Sequence, residues 1–382
     1  MRLISVKSLT VFGKNNGTLI EAVSNSSTTF HNGTFCTSSL EKIHNNSSRV
    51  PYIKLSCGNV QMPIVGLGTW KAQRDEVQNA INVALEKGYR HFDTAFNYNN
   101  EEDIGDVLKK WFDSGKGKRE DLFITTKLPN CGNRPKDVER FLKMSLDRLK
   151  LSYVDLYLIH MPFSFFCNES NFTPLTNEDG TFCLDVNNDL IGTWKVMEQQ
   201  VKNGLTRAIG LSNFNAEQVQ RVYDSAEIKP TVLQVEMHAY LQQKELRELC
   251  KKLNIAVTAY SPLGSPGANT HFSTKYNYSL ADFPDILGHP TVKELAEKYK
   301  KSAGQVLLRH LIQQDVIVIP KSANPDRIKS NIDLFDFELS ADDVEKLNAL
   351  DKGEQGRIFD FLFFKGVTKH PEYPFKGREE EK

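Results

Sequence analysis

Residues 122–159 read LFITTKLPNCGNRPKDVERFLKMSLDRLKLSYVDLYLI, and they contain one complete unit of the fold. The two ends of this stretch, 122–127 and 154–159, are short apolar runs typical of strands buried on both faces. Residues 135–150 carry apolar side chains at helical spacing, and Pro135 stands where the first turn of a helix tolerates proline. The stretch therefore predicts two buried parallel strands joined by a helix.

The same alternation continues on both sides of this unit. The predicted strands cover 64–68, 90–93, 122–127, 154–159, 207–211, 232–235, 255–259 and 316–319. The predicted helices cover 74–87, 102–111, 135–150, 189–203, 216–226, 243–253 and the region around 292–312. About eight strand–helix units within roughly 270 residues predict an α/β fold of the (β/α)₈ TIM-barrel type.

A doubly wound dinucleotide-binding fold is the rival architecture, because it also alternates strands and helices. It requires a Gly-x-Gly-x-x-Gly turn between its first strand and helix. The nearest match, Gly66-Leu-Gly-Thr-Trp-Lys71, lacks the third glycine, so the barrel is the better interpretation. Residues 52–55 and 60–63 flank Cys57-Gly-Asn59 and predict a hairpin that caps the bottom of the barrel.

The first fifty residues differ in composition from the rest of the chain. Residues 1–50 contain 21 Ser, Thr or Asn and show no sustained apolar period. Such a segment cannot bury enough surface to offset the entropy lost on ordering. We predict a disordered leader over 1–50 and a single barrel domain over 51–382. The leader has five Lys or Arg against two acidic residues, which leaves mitochondrial targeting open beside a cytoplasmic location.

The overall composition argues against several classes of partner. Lys and Arg number 48, as do Asp and Glu, so the chain has no net field that would attract nucleic acid or an anionic membrane. No stretch approaches the ~18 consecutive apolar residues of a membrane-spanning helix. The six cysteines show neither a CxxC pair nor metal-ligand spacing, so we predict no metal site.

Polar side chains stand at the carboxyl end of nearly every predicted strand. In barrels of this type the loops at those ends build the active site. In chain order these residues are Asp93 with Tyr98 shortly after it, Lys127, His160, Ser212, Asn213, Gln234, Tyr260, Ser261, Lys321 and Ser322. Each one alone could be a capping or solvated residue, but their recurrence at the same end predicts one shared cleft.

The residue types in this cleft favour carbonyl chemistry. We find no activated serine or cysteine and no carboxylate pair among them, which argues against hydrolase mechanisms. Asp93 and Lys127 are expected to pair, since a buried unpaired charge is very costly. A phenol beside a lysine suits proton donation, and we expect the ammonium group to lower the pKa of Tyr98. His160 would orient the carbonyl, and the hydride must come from a cofactor because no side chain supplies one.

From these positions outward, the chain is similar to the aldo-keto reductase family from about residue 51 to 375. The motifs that carry the resemblance are Gly66-Leu-Gly-Thr-Trp70, Asp93-Thr-Ala-Phe-Asn-Tyr98, Thr126-Lys-Leu128, Leu158-Ile-His-Met-Pro162, Gly210-Leu-Ser-Asn-Phe214, Tyr260-Ser-Pro-Leu-Gly264 and Ile319-Pro-Lys-Ser322. Their number and order make the resemblance far more specific than a lone glycine motif.

The resemblance implies a role for each of these residues. Asp93, Tyr98, Lys127 and His160 would form the catalytic tetrad, with Tyr98 as the general acid. The cofactor-binding residues would be Ser212, Asn213 and Gln234 at the carboxamide, Tyr260 on the nicotinamide ring, Ser261 and Leu263 in the same motif, and Lys321, Ser322, Arg327 and Asn331 at the adenosine end. Lys321 and Arg327 favour NADPH, because a 2′-phosphate accepts charge-assisted hydrogen bonds that NADH cannot make.

The implied activity is NADPH-dependent reduction of aldehydes or ketones to alcohols by a monomer, and it leaves hydrophobic aldehydes, ketones and steroids open as substrates. Trp70 and Met161 would line the substrate pocket, and Met161 replaces the tryptophan usual in the family. The phenylalanine-rich runs 161–184 and 359–364 predict an apolar, aromatic pocket. The tail over 359–375 most resembles arthropod members of the family, some of which act on ecdysteroid ketones.

Two departures from the family pattern concern the cofactor. Many members have acidic residues where this chain has Gly267 and Ser330, and those acids would help to clamp the nucleotide. We therefore expect looser cofactor retention. A non-catalytic NADPH-binding scaffold or a structural protein on the same fold is the alternative, because a fold alone does not determine function. The intact tetrad favours an enzyme.

Overall fold

The computed structural model describes residues 50–72, 74–279 and 283–375. The predicted leader over 1–50 lies outside the described residues, except for Val50. The strands of the described part are β1 (Tyr52–Lys54), β2 (Gln61–Pro63), β3 (Leu67–Gly68), β4 (His91–Asp93), β5 (Phe123–Leu128), β6 (Val154–Ile159), β7 (Thr206–Ser212), β8 (Val232–Glu236), β9 (Ala256–Tyr260) and β10 (Ile317–Val318).

Strands β3 to β10 form one eight-stranded parallel sheet in chain order. Its first and last strands meet through parallel bridges between Val65 and Val318 and between Gly68 and Lys321, so the sheet closes on itself. Gly68 permits this close approach, because a Cβ atom there would lie 2.7 Å from the carbonyl oxygen of Ile319. The predicted (β/α)₈ barrel is therefore confirmed.

Eleven α-helices surround this sheet in the described part of the chain. They are α1 (Arg74–Glu86), α2 (Glu101–Asp113), α3 (Val138–Leu149), α4 (Leu190–Lys202), α5 (Ala216–Ser225), α6 (Lys244–Lys252), α7 (Ala268–Tyr276), α8 (Pro290–Tyr299), α9 (Ala303–Ile312), α10 (Pro325–Ile332) and α11 (Ala341–Asn348). Helices with a clear apolar stripe agree with the sequence prediction to within a few residues. In α1, for example, the buried side chains are the predicted Val77, Ala80, Ile81, Ala84 and Leu85.

The structure also contains elements that the sequence patterns did not indicate. Helices α7, α10 and α11 have only eight or nine residues each and bury two side chains apiece, so they show little periodicity. The strands predicted over 64–68 and 316–319 are shorter, with two ladder residues each in β3 and β10. These are the first and last strands of the sheet, and the pairing between them is confined to isolated bridges.

The predicted hairpin is present at the amino end of the barrel. Strand β1 pairs antiparallel with β2, and Ile53 lies opposite the fully buried Met62. The ring nitrogen Nδ1 of His91, the first residue of β4, lies 3.1 Å from the carbonyl oxygen of Pro63. The hairpin thus covers the ends at which the strands begin and leaves the carboxyl ends clear.

Candidate active site

The carboxyl ends of the strands bring the predicted polar residues around one opening of the barrel. Asp93 ends β4, Lys127 lies one residue before the end of β5, and His160 follows β6 directly. The other predicted residues here are Ser212 at the end of β7, Asn213 after it, Gln234 in β8 and Tyr260 at the end of β9. Tyr98 ends a short 3₁₀ turn, Phe96–Tyr98, which follows β4.

At the base of the opening, Asp93 and Lys127 form a buried ion pair. Lys127 Nζ donates hydrogen bonds to Asp93 Oδ1 at 2.6 Å and to the carbonyl oxygen of Thr94 at 2.8 Å. The second carboxylate oxygen, Asp93 Oδ2, accepts a hydrogen bond from Gln234 Nε2 at 2.7 Å. Burial lowers the pKa of Lys127, and the negative charge of Asp93 opposes that shift. Side chains from β4, β5 and β8 therefore hold one charged pair in place.

Tyr98 stands next to this pair with its hydroxyl group toward the lysine. Lys127 Nζ lies 3.4 Å from Tyr98 Oη and 5.0 Å from the centre of the tyrosine ring. The ring of His160 packs edge-on against the same ring, with centroids 5.8 Å apart. The side chains of the predicted tetrad are thus brought together.

The expected effect of Lys127 on the pKa of Tyr98 is wrong. Burial raises the pKa of this phenol well above 10, and the nearby charge of Asp93 raises it further. The ammonium group does not offset this rise, because it lies 2.6 Å from Asp93 but 3.4 Å from the phenol oxygen. Its charge is largely balanced by the carboxylate, so the phenol stays protonated at neutral pH.

His160 is buried as a neutral imidazole. Burial lowers its pKa well below 6.5, and the positive charge of Lys127 lowers it further. Its ring nitrogen Nδ1 is buried and has no hydrogen-bond partner among the described residues. The main chain at His160 is held by the residue that follows β7, since Asn213 Nδ2 donates to the carbonyl oxygen of His160 at 2.9 Å. A neutral imidazole in this position can donate or accept one hydrogen bond to a polar ligand.

Asn213 and Tyr260 hold each other beside the tetrad. Asn213 has a backbone φ of 64°, a left-handed conformation that asparagine adopts more readily than most residues. Its side chain also donates to Ser212 Oγ at 3.2 Å, and its Oδ1 accepts a hydrogen bond from Tyr260 Oη at 2.7 Å. The Tyr260 ring is half-buried and packs edge-on against Phe359, with centroids 5.5 Å apart. It therefore offers a fixed aromatic face.

The remaining residues of the Tyr260 motif lie farther from the tetrad. Ser261 Oγ is hydrogen-bonded to Ser265 Oγ at 2.7 Å. Leu263 and Asn331 face the same point of α9, since a Cβ atom on Gly304 would lie 3.7 Å from Leu263 Cδ1 and 3.9 Å from Asn331 Oδ1. The loop after β9 and helix α10 therefore both approach the start of α9.

Cationic side chains follow at the rim of the opening. Lys321 Nζ donates to Glu76 Oε1 at 2.8 Å, and Arg327 Nε lies 3.4 Å from the hydroxyl of Ser322. In the described part of the chain, the Arg327 guanidinium forms no ion pair with a carboxylate. Lys321 and Arg327 make no hydrogen bond with the tetrad, so the candidate site is extended, with a polar centre and a basic rim.

The charges at this rim fit an anionic group. Burial lowers the pKa of Lys71, and the positive charge of Lys321 lowers it further, so the two ammonium groups repel each other. An anion such as a phosphate would relieve that repulsion. The sequence analysis missed Lys71, although it directly follows Trp70 in a motif already noted. Its Nζ donates to the carbonyl oxygen of Gly267 at 2.9 Å and so contacts the loop that precedes α7.

An aromatic wall adjoins this basic rim, since Lys71 Nζ lies 5.0 Å from the centre of the Trp70 ring. Trp70 packs edge-on against His271 and Phe359, with centroids 5.3 and 5.4 Å apart. His271 and Phe272 belong to α7, which the sequence analysis missed, and they had no pattern that would have drawn attention to them. Met161 is half-buried, and its sulfur lies 3.2 Å from Asn213 Nδ2.

Most of the predicted phenylalanine lining is packed rather than open. Phe163 and Phe165 are fully buried and Phe361 is 2% exposed, so these rings form a separate hydrophobic cluster. Phe166 is 49% exposed and points away from this cluster into solvent. The cluster supports the wall formed by Trp70 and Phe359, which is a correction to the expectation that all these rings line the pocket.

The arrangement provides a protonated phenol, a neutral imidazole and a balanced buried ion pair around one opening. Within residues 50–72, 74–279 and 283–375, no three His, Cys, Asp or Glu side chains are grouped in a way that could hold a metal ion. None of the helices in the same ranges is long and apolar enough to cross a membrane. The five described cysteines, Cys57, Cys131, Cys167, Cys183 and Cys250, are free thiols.

Comparisons with known proteins agree with this architecture. Residues 64–352 match the model of the aldo/keto reductase family. The chain is 44% identical over 321 residues to aldo-keto reductase family 1 member A1 of Gallus gallus, an alignment that covers 82% of this chain and 94% of the relative. The human protein of the same name is 44% identical over 323 residues, with coverage of 82% and 95%.

A solved structure is similar over the same region. The aldose reductase of Schistosoma japonicum superposes with a TM-score of 0.76 and is 40% identical in sequence. The match covers 86% of this chain and 99% of that protein. The chain therefore matches nearly the whole length of each of these relatives.

Proposed function

Because the chain belongs to the aldo/keto reductase family, we propose that it reduces aldehydes or ketones to alcohols with NADPH as the hydride donor. The observation that carries the proposal is the position of Tyr98, whose hydroxyl lies 3.4 Å from Lys127 Nζ at the carboxyl ends of the strands. An oxidoreductase of this family needs one proton donor beside its hydride donor, and Tyr98 is the acid best placed for that role.

Each member of the tetrad has a distinct task in this proposal. Tyr98 donates its proton to the carbonyl oxygen, and its high pKa keeps it protonated until the substrate arrives. The ammonium of Lys127 then stabilises the phenolate that forms, while Asp93 holds the lysine in place. His160, as a neutral imidazole, orients the carbonyl by a hydrogen bond. Water returns the proton to Tyr98 after the alcohol has left.

When bound, NADPH supplies the hydride that adds to the carbonyl carbon, which leaves NADP⁺. Ser212, Asn213 and Gln234 would bind its carboxamide, and the half-buried ring of Tyr260 would support the nicotinamide. Lys321, Ser322, Arg327 and Asn331 would bind the adenosine end, and Ser261 and Leu263 would line the path between the two. The basic rim supports NADPH over NADH, because a 2′-phosphate would give the Arg327 guanidinium an anionic partner.

The proposed setting follows from the cofactor. NADPH is an intracellular reductant, so we place the protein in the cytosol, with mitochondrial targeting by the leader as the competing location. We propose a small carbonyl compound as its partner and a monomer as its working form. Size-exclusion chromatography of the full chain would test the monomer, and fractionation of cells that express it would test the location.

The activity itself is tested by mixing the purified full-length protein with NADPH and a panel of carbonyl compounds. The panel contains a short aliphatic aldehyde, an aromatic aldehyde and several steroid ketones, and the loss of nicotinamide absorbance reports turnover. Tyr98→Phe removes only the acidic hydroxyl and should lower kcat by about 10²- to 10⁴-fold. Tyr223→Phe is the matched control, because Tyr223 lies in α5 outside the site, and it should change little.

The test also separates the enzyme from a non-catalytic scaffold. Turnover that disappears in Tyr98→Phe supports the proposed mechanism, and the ranking of the substrates then begins to define specificity. If NADPH binds tightly but no carbonyl is reduced, the scaffold is the correct interpretation and the reductase proposal is wrong.

A further inference from the structure

Glu236, the last residue of β8, is a buried carboxylate outside the tetrad. It is fully buried, and both of its oxygens accept hydrogen bonds from the main chain of a distant segment. Oε1 accepts from the amide of Ile358 at 2.8 Å, and Oε2 accepts from the amide of Phe359 at 2.8 Å. His238 Nε2 lies 2.9 Å from Oε1 and provides a third contact. Because a buried carboxylate is costly without such partners, these contacts hold the two segments together tightly.

The segment held by Glu236 carries a central ring of the aromatic wall. Phe359 is 6% exposed, and its ring packs against three aromatic neighbours. The centroid distances are 5.4 Å to Trp70, 5.5 Å to Tyr260 and 5.4 Å to Phe272, all with edge-on geometry. Edge-on contacts of this kind depend on the position and tilt of each ring. A shift of Phe359 would therefore change the shape of the whole wall.

The path of the chain makes this position dependent on Glu236. Phe359 is the eleventh residue after α11, in a segment without strands or α-helices, whereas Trp70 and Tyr260 are placed directly by the barrel. The amides of Ile358 and Phe359 donate to Glu236, which lies two positions after Gln234 in β8. Gln234 itself donates a hydrogen bond to Asp93. One barrel strand thus contacts the tetrad with one side chain and the aromatic wall with the next inward-facing one.

We propose that Glu236 is a positioning residue for substrate selectivity, which holds Phe359 against Trp70 so that the wall favours carbonyl compounds bearing an aromatic ring. The inference rests on the proposed reductase function. An aromatic substituent can pack edge-on against this wall, whereas a two- or three-carbon aldehyde has no ring with which to make such a contact. Glu236 contacts neither the hydroxyl of Tyr98 nor the ion pair, so it acts on binding rather than on proton transfer.

The test compares steady-state kinetics of the full-length protein with benzaldehyde and with propanal. Glu236→Gln keeps the shape of the side chain but turns an amide N–H toward a main-chain donor. We expect KM for benzaldehyde to rise about tenfold, because the loss of a well-placed aromatic wall removes one to two edge-on contacts. For propanal, both kcat and KM should stay within about twofold of the unmodified protein, since a positioning residue that acts through the wall leaves the tetrad unchanged.

A matched control is available in Glu198, another buried glutamate that accepts two main-chain N–H groups. Glu198 Oε1 accepts from the amides of Glu227 at 2.7 Å and Ile228 at 3.1 Å, at the opposite end of the barrel. Glu198→Gln removes the same kind of interaction without touching the wall. It should leave the ratio of kcat/KM for the two aldehydes unchanged.

Phe359→Leu keeps the proposal testable even if Glu236→Gln folds poorly, and the two variants together form a double-mutant cycle. Phe359→Leu keeps the main-chain amide and removes the ring, so it should lower the preference for benzaldehyde by itself. In the Glu236→Gln background, Phe359→Leu should then add less than about a twofold further change, because both act through the same wall.

Several results would overturn the proposal. Equal losses for both aldehydes, full additivity in the cycle, or the same change in Glu198→Gln would show that Glu236 has only a structural role. An unchanged preference in Phe359→Leu would show the same. Absence of turnover with both aldehydes in the unmodified protein would instead contradict the reductase function itself.

Discussion

The ammonium group of Lys127 lies 2.6 Å from Asp93 Oδ1, and the two side chains are only 0% and 3% exposed. An ion pair at this depth is stable only as a pair, because each charge alone would be isolated from water. The pair therefore affects folding and chemistry together, and the two effects can be separated by substitution.

Replacing one partner should destabilise the protein more than replacing both. Lys127→Met or Asp93→Asn alone should lower the free energy of unfolding by about 3–5 kcal/mol, and the double variant should recover part of that loss. All three should lack reductase activity. Urea denaturation measures the stability, and NADPH oxidation measures the activity. Lys109→Met, which breaks an exposed pair with Asp113, is the control and should cost less than about 1 kcal/mol. Simple additivity of the two single changes would contradict this prediction.

Acid should destabilise the fold through its buried histidines. Burial lowers the pKa of His91 and of His310 to about 4, from 6.5 in an unfolded chain. Between these values the unfolded chain binds protons that the folded chain does not, so stability is complete above pH 6.5 and is lost as the pH falls toward 4. Each histidine should contribute a slope of up to about 1.4 kcal/mol per pH unit.

Denaturation at a series of pH values in His310→Gln tests this assignment. Glutamine can still donate to Asn348, the present partner of His310, but it does not titrate. The slope between pH 6.5 and 4 should therefore decrease by the share of one histidine, and an unchanged slope would show that other groups control the acid transition.

An acidic residue at position 267 should tighten cofactor binding. Gly267 has an ordinary φ of −95°, and no atom lies within 4 Å of a Cβ atom built there, so Gly267→Asp fits without strain. Its carboxylate would be placed near Lys71, whose Nζ already contacts the carbonyl oxygen of this residue. We expect Kd for NADPH to fall about two- to fivefold, as for an exposed ion pair that closes a loop. Fluorescence titration measures Kd, and Gly267→Asn, which adds no charge, should have little effect.

Arg327 should determine the choice between NADPH and NADH. Arg327→Met should raise Kd for NADPH about tenfold or more, because a charge-assisted hydrogen bond to a phosphate is lost, while Kd for NADH should change little. Lys329→Met is the matched control, since Lys329 is an exposed cation on the same helix, α10. Equal losses for both cofactors in Arg327→Met would place the guanidinium elsewhere than at the 2′-phosphate.

The sequence was sufficient for the parts of the molecule that follow a repeating pattern. Buried strands such as β5 and β6 are continuous apolar runs, and the barrel brings their ends together, so the meeting of Asp93, Lys127 and His160 could be predicted. The roles assigned to those residues stay predictions. The tetrad is thus a consequence of topology more than of local sequence.

Features that depend on differences of less than an ångström between two distances could not be predicted in this way. The pKa of Tyr98 rises because the phenol is buried beside Asp93, and Lys127 does not offset the rise because it lies closer to Asp93 than to the phenol. No sequence pattern contains that difference in distance. Glu236 gave no signal either, because its partners Ile358 and Phe359 are more than 120 residues away. Helix α7 was missed because its few buried side chains form no stripe.

The opposite placement of the hairpin and the aromatic wall has a practical meaning for anyone who wishes to immobilise the protein. The β1–β2 hairpin covers the end of the barrel where the strands begin, while Phe359 lies at the other end beside Trp70. A tether joined near Val50 would leave the opening directed toward the solution on a bead or an electrode. A tether that pulls on the segment around Phe359 would instead displace the aromatic wall at the opening of the barrel.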